Sequence, residues 1–368
     1  MNNNVFLGDK FYNREHINFL LYDVLHAEKF AEYEYFSGHD KSTIDLYLDS
    51  IDHFAKEYMF PHLVEMDRKQ PELSNGRIHV HPVLRTIMRI SGENGWISIL
   101  ASKEVGGMQM PSTFVNAASF ILGAANYSAS AFPGLTMGAA HLIENYADKI
   151  YQDTYLPKMF AGEWQGTMAL TEPGAGSSLS DVACSAEKQE DGSYKISGQK
   201  IFISCGDSDA VDNVIHLLLA RVKGARTGTK GISMFIVPRE RLNADGALSD
   251  NDVTSAGVYH KMGYKGAPIA HLIFGENNDC HGWLIGEENK GLSYMFQMMN
   301  EARISVGLHA TSISSAAYYA SLKYANERLQ GRNITEKDPE KSQVPIIQHA
   351  DVRRMLLFQK TFVRARYF

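Results

Sequence analysis

A short apolar run, Met168-Ala169-Leu170, enters the segment Thr171-Glu172-Pro173-Gly174-Ala175-Gly176-Ser177, which holds two glycines with a hydroxyl at each end. Glycines allow close approach to the backbone. Free N–H groups and hydroxyls there could cradle a phosphate or the polar edge of a ring. The same composition also describes a surface turn between strands. No GxGxxG and no GxxxxGK[ST] occurs, so neither common phosphate-loop fingerprint is present. A second segment, Gly198-Gln199-Lys200-Ile201-Phe202-Ile203-Ser204, reads as a strand. Residues two apart on a strand share a face, so Phe202 and Ser204 would offer an aromatic wall beside a hydroxyl donor. That pairing suits a flat heteroaromatic cofactor, and it also suits an ordinary packed sheet face.

Three regimes of texture surround these segments. From Ser42 to Gly162 the pattern is helical: Ile44, Tyr47, Leu48, Ile51, Phe54, Ala55 and Tyr58 form one apolar stripe. Ser42 and Asp45 predict a capping box at its start, with Pro61 just past its end. Val83 to Ile90 repeats the theme, and further helices are expected near 113–125 and 136–160, with Asn126 breaking the most apolar stretch. From Trp164 to Leu284 short alternating runs are separated by turns, predicting a small antiparallel sheet or barrel. From Gly291 the helical spacing returns, and an amphipathic pattern beginning near Ile346 is still running at Phe368. The fold class expected is α+β: an N-terminal helical domain over 1–163, a central β domain over 164–285, and the start of a C-terminal helical bundle over 286–368. The pattern at Phe368 predicts a chain cut short.

The run Ala169 to Ser177 resembles the ALTEPxAGS signature of acyl-CoA dehydrogenases, and Gly198 to Ser204 resembles their G-x-K-x-[WF]-I-[TS] segment. Gly231–Pro238, Lys261-Met262-Gly263, Gly286–Gly291, Met299–Arg303 and Tyr324–Arg332 follow in the family's order. The resemblance runs from about residue 45 to the end and includes the α–β–α order. The Arg328-Leu329-Gln330-Gly331-Arg332 ending, Gly282–Gly286 and Gln348–Met355 are similar to the long type of the family, which includes 3-(methylthio)propanoyl-CoA dehydrogenase.

The resemblance implies a role for each matching residue. Met168, Leu170, Thr171 and Ser177 would touch FAD, with Thr171 near the pyrimidine edge of the flavin. Phe202, where many relatives have Trp, would flank the ring, and Ser204 would donate toward N5. Ser177, Asn300 and Arg303 would line the acyl-CoA site. Arg328 and Gln330 would reach the FAD pyrophosphate of a neighbouring subunit, which implies a homodimer or homotetramer. The family often has a Phe near the position of Gln330; here Gly331 follows it directly. The activity implied is FAD-dependent oxidation of an acyl-CoA to the trans-2-enoyl-CoA, with electrons passed to an electron-transfer flavoprotein. Alternatives within the resemblance are an acyl-CoA oxidase or flavin monooxygenase using oxygen, and a non-catalytic flavin-binding relative.

That chemistry needs a carboxylate to remove the α-proton. Most relatives carry it late in the C-terminal helices, expected here beyond Phe368. A minority place it directly before the arginine that matches Arg303, a position filled by Ala302. Glu301 is the fallback, rotated by about 100° on a helix and read as a solvated or subunit-facing carboxylate. The chain is therefore expected to have no appreciable dehydrogenase activity on its own.

Composition excludes several other classes. Lys+Arg number 36 against 42 Asp+Glu, with no basic run, which argues against nucleic acid. The start, Met1-Asn2-Asn3-Asn4, is unlike a signal peptide, and no apolar stretch is long enough to span a bilayer. Cys184, Cys205 and Cys280 form no CxxC pair and read as reduced thiols, so a cytoplasmic location is expected. His79 and His81 lack an evident third ligand and read as an exposed loop, not a metal site. Met295, Met298 and Met299 read as core filler. Phe11, Tyr12 and Tyr33–Phe36 read as cover for an apolar surface.

Overall fold

The computed structural model describes residues 10–336 and 338–365, so Met1–Asn4 and Phe368 lie outside the described residues. The chain forms two compact units that interleave along the sequence. One comprises 1–64, 112–127 and 303–368; the other comprises 65–111 and 128–302.

In the first unit, Lys41–Phe54 (α1) buries Ile44, Leu48, Ile51 and Phe54, the stripe that the spacing predicts. Its cap is Asp40, not Ser42: the Asp40 carboxylate accepts from Thr43 N at 2.8 Å, and Ser42 Oγ donates to that carboxylate at 2.9 Å. The polar face of α1 is occupied by the preceding segment. Tyr12 donates to Asp52 at 2.6 Å, Tyr22 donates to Asp45 at 2.7 Å, and Arg14 pairs with Asp49 at 3.0 Å. Phe11, 1% exposed, packs on Phe60 with ring centroids 4.7 Å apart. So Phe11 and Tyr12 cover a surface of this same unit, whereas Tyr33 and Tyr35 remain exposed.

Helix continues past Phe54 through Ala55–Met59 and the turn Phe60–His62, so Pro61 stands inside the helical path at a fresh helical start. Val83–Glu93 (α2) follows. The two helices expected near 113–125 and 136–160 divide differently: Ser112–Tyr146 (α3) holds the break at Asn126, φ −163, and Lys149–Phe160 (α4) is separate. The Asn126 side chain donates to Met59 O at 3.2 Å, which ties down the irregular turn.

The second unit is built on eight strands: Trp164–Ala169 (β1), Ser185–Lys188 (β2), Tyr194–Ser204 (β3), Asn213–Val222 (β4), Ile232–Pro238 (β5), Val253–Val258 (β6), Ile269–Phe274 (β7) and His281–Ile285 (β8). Strands β3, β8, β5, β4 and β2 pair in a closed ring, so the barrel expectation holds. It is not wholly antiparallel, because β1 and β2 both run parallel to β4. Strand β4 is buried on both faces. Ile215, Leu217 and Leu219 join one core with Leu142, Ile143 and Leu156 of α3 and α4, while Leu218, Ala220 and Val222 join a second core with Ala186, Tyr194, Ile196 and Phe235. Two-sided burial explains why β4 reads as a continuous apolar run without alternation.

Helix Gly291–Glu327 (α5) begins with Met295, 2% exposed, while Met298 and Met299 pack at the edge of the first core. In the other unit Tyr318 and Ala325 of α5 pack with Leu356 of Ala350–Ala365 (α6). Among the described residues, no helix is long and apolar enough to cross a membrane.

Candidate flavin and acyl-CoA site

Strand β1 ends at Ala169, and Thr171 to Ala175 closes a tight turn in which Glu172 N donates to Ala175 O at 2.8 Å and Ala175 N donates back to Glu172 O at 3.1 Å. Leu170 and Thr171 are half-buried, and Ser177 is exposed beyond the turn. Nothing lies within 4 Å of where a Cβ on Gly174 would stand, and at Gly176 the nearest atom is Thr171 Cγ2 at 3.6 Å. Neither glycine has a positive φ. The packing of the chain therefore does not demand glycine at these two positions. Their openness leaves the turn accessible to a ligand lying against it, which fits a phosphate or flavin edge.

The structure brings the second segment directly beside the first. Ile201 N donates to Thr171 O at 2.8 Å, joining the turn to β3. Here β3 is bulged: opposite β7, Ile203 pairs with Ala270 and Lys200 with Leu272, leaving Ile201 and Phe202 against the single His271. Phe202 takes φ +59, the left-handed region, at a cost of about 1–2 kcal/mol for a residue with a Cβ. A simple two-residue alternation thus does not carry through Phe202 to Ser204. The bulge leaves the Phe202 ring 56% exposed, leaning on Tyr259 with centroids 4.6 Å apart, and Ser204 half-buried.

Beneath the junction lies a feature that residue spacing did not single out. The Lys200 ammonium, with a side chain 0% exposed, donates to Leu170 O at 2.9 Å, Leu219 O at 2.7 Å and Glu172 Oε1 at 2.7 Å. All three of its protons have acceptors. The Glu172 carboxylate, 5% exposed, also accepts from Ala183 N at 2.7 Å and Cys184 N at 3.0 Å. A buried pair so fully hydrogen-bonded tolerates its desolvation, whereas removing one partner would cost about 3–5 kcal/mol. The signal in the sequence was weak, because Lys200 is one of two lysines in a strand of mixed polarity and Glu172 sits in an apolar-to-glycine turn. A buried charge needs a partner, but nothing marked either one as buried.

Asn300 and Arg303 are exposed on α5, one turn apart. Glu301 is not simply solvated. Its Oε1 lies 3.6 Å from His141 Nδ1, and that contact holds the imidazole above its ordinary pKa. Arg328 and Gln330 belong to the other compact unit, exposed after the end of α5; Gln330 N donates to Val344 O at 3.0 Å, and Ile346 N donates to Arg328 O at 2.8 Å. His79 and His81 are not in a free loop. His79 closes the short strand Arg77–His79 and meets Asp209 at 2.8 Å, while His81 meets Glu65 at 3.4 Å. All three cysteines are free and buried, and burial pushes the Cys184 thiol up to about 11 and that of Cys205 to about 12.

Sequence profiles of the acyl-CoA dehydrogenase N-terminal domain and middle domain match residues 42–163 and 167–276. The chain belongs to the acyl-CoA dehydrogenase family. A butyryl-CoA dehydrogenase of Syntrophomonas wolfei is 48% identical over 63% of the chain and 39% of its own length. A 3-methylmercaptopropionyl-CoA dehydrogenase of Ruegeria pomeroyi is 36% identical over 92% of the chain and 57% of its own length. The chain thus spans well under two thirds of these relatives. Among solved structures, an acyl-CoA dehydrogenase from Bacillus anthracis complexed with FAD superposes with a TM-score of 0.71 at 20% identity, covering 88% of the chain and 49% of the other. It shares the family fold of helical, β and helical parts.

Proposed function

We propose that the chain binds FAD and an acyl-CoA thioester and serves the oxidation of that thioester to the trans-2-enoyl-CoA. The observation that carries this reading is the hydrogen bond from Ile201 N to Thr171 O, which sets the open glycine turn against the exposed, strained Phe202. Met168, Leu170, Thr171 and Ser177 would hold the flavin from the turn, and Phe202 and Ser204 would hold it from the bulged strand. Bound FAD would supply the acceptor for the β-hydrogen, taken as hydride at N5. Ser177, Asn300 and Arg303 would position the thioester, and Arg328 and Gln330 would reach the FAD of a neighbouring subunit in a homodimer or homotetramer. An electron-transfer flavoprotein is the proposed acceptor of the electrons.

The chain's own helix offers no base at the position before Arg303. Ala302 has no titratable group, and Glu301 is drawn to His141. The α-proton would then be taken by a carboxylate other than these.

The test is to release the cofactor of the purified protein by heat and identify it, then to titrate the holoprotein with saturated acyl-CoAs while following the flavin bands. FAD, released intact and perturbed by an acyl-CoA, is the expected result. FMN, a nicotinamide cofactor, or no flavin after reconstitution would overturn the reading.

A further inference from the structure

The buried pair Lys200–Glu172 ties the Leu170–Glu172 turn and the end of the Ser177 loop to the bulged strand, yet it is itself closed to solvent. From Lys200, one hydrogen bond reaches Leu170 O and another reaches Glu172, so the ammonium brackets Thr171 on both sides. A third reaches Leu219 O in β4, a strand buried on both faces. From Glu172, two hydrogen bonds reach Ala183 N and Cys184 N, where the loop that began at Gly174 and carries Ser177 rejoins the barrel. Lys200 itself stands two residues before Phe202 on the bulged strand.

We infer that Lys200 and Glu172 are positioning residues for the cofactor, one buried charge pair that fixes the Met168–Thr171 edge, the Ser177 loop and the Phe202–Ser204 bulge as a single rigid frame. This inference rests on the flavin reading above. Physical economy argues for it. A lysine and a glutamate of equal volume to apolar residues would be neutral or unfavourable for stability alone. Directional hydrogen bonds, by contrast, fix three separate backbone segments in register, which apolar packing cannot do as sharply. The frame also supports a strained residue: the left-handed Phe202 persists only where its surroundings over-determine it.

The experiment has a flavin-free arm and a flavin arm. In the flavin-free parent, hydrogen exchange at the amides of Ala183, Cys184 and Ile201 is expected to proceed through one common opening, slower than at Ser178 in the loop. Independent exchange of these three amides overturns the frame, whether or not FAD binds. In the flavin arm, Lys200→Met, Glu172→Gln and the neutral double variant Lys200→Met/Glu172→Gln are reconstituted with FAD. Each single variant is expected to weaken FAD binding at least about tenfold and to blur the resolved visible bands of the flavin, and the double variant to be no worse than either single one, because the pair acts as a unit. A double variant that melts near the parent, binds FAD as tightly and keeps the same bands reduces the pair to a structural one and overturns the proposal. Should the variants fail to fold, the exchange pattern of the parent still decides. Loss of FAD from the parent itself would sink the cofactor reading, while the exchange arm would still judge the frame.

Discussion

The imidazole of His141 on α3 stands 3.6 Å from the carboxylate of Glu301 on α5, Nδ1 to Oε1, with the Gln297 amide 3.3 Å from its other nitrogen. The carboxylate contact, more than any other influence, raises the imidazole above its ordinary 6.5. A histidine raised on folding stabilises the fold fully below its unfolded value and loses that contribution as pH rises through the folded one. His141→Gln should therefore melt below the parent at about pH 6, and the gap should close by about pH 9. Because the Glu301 side chain is 48% exposed, the difference should stay under about 1 kcal/mol. Thermal melts of both proteins at the two pH values check it; a gap that is independent of pH would refute the pair.

Phe202 carries backbone strain and an exposed ring at the proposed flavin face. Phe202→Gly removes a left-handed strain of about 1–2 kcal/mol and forfeits a ring contact with Tyr259 worth about 0.5–1.5 kcal/mol. The ring is more exposed than buried, so little hydrophobic burial is lost. The melting temperature of the flavin-free protein should hardly move, while FAD retention falls. Phe202→Trp should retain FAD. Equal flavin content in Phe202→Gly and the parent would show that the ring does not face the cofactor.

Two glycines should answer to alanine in opposite ways. Gly198 has φ +148, and a Cβ there would lie 2.9 Å from Cys184 Cα and Sγ. Gly198→Ala should destabilise by about 1–3 kcal/mol. At Gly174 a Cβ meets nothing within 4 Å, so Gly174→Ala should leave the melt of the flavin-free protein intact. If the turn is a ligand cradle, Gly174→Ala should nevertheless lower FAD affinity. Unchanged affinity would mean that the ligand does not approach there.

Periodicity made the helices and most strands legible, because one-sided burial writes itself into the spacing, as along α1. Two-sided burial does not, so the parallel pairing of β1 with β4 left no mark in the sequence. The α1 cap was displaced by two residues: Asp40 and Ser42 are both good capping groups, and only the geometry of the preceding chain decides between them. A bulge is equally silent. Nothing in Gln199–Ser204 marks where one extra residue enters β3, and that residue resets the direction of Phe202. The link between Lys200 and Glu172 is a long-range contact, so each residue was visible and their partnership was not.

The position before Arg303 gives the sharpest test of whether α5 can supply a base. Some relatives that this chain resembles carry their carboxylate there, and Ala302 has only a methyl group to offer. Glu301 cannot substitute without turning the helix, because neighbouring residues on α5 project about 100° apart. Its carboxylate is also drawn to His141 in the described structure. Assayed with FAD, saturated acyl-CoAs and an artificial electron acceptor, the 368-residue chain should show no appreciable turnover, and Glu301→Gln should match it. Ala302→Glu places a carboxylate on the half-buried face instead. It should raise turnover at least about tenfold, less than the roughly 10²–10⁴-fold of a well-positioned general base because a grafted carboxylate is imperfectly placed. Parental turnover that disappears in Glu301→Gln would make Glu301 the base. Ala302→Glu that binds FAD and acyl-CoA yet gains nothing would mean that this face of α5 does not meet the α-carbon.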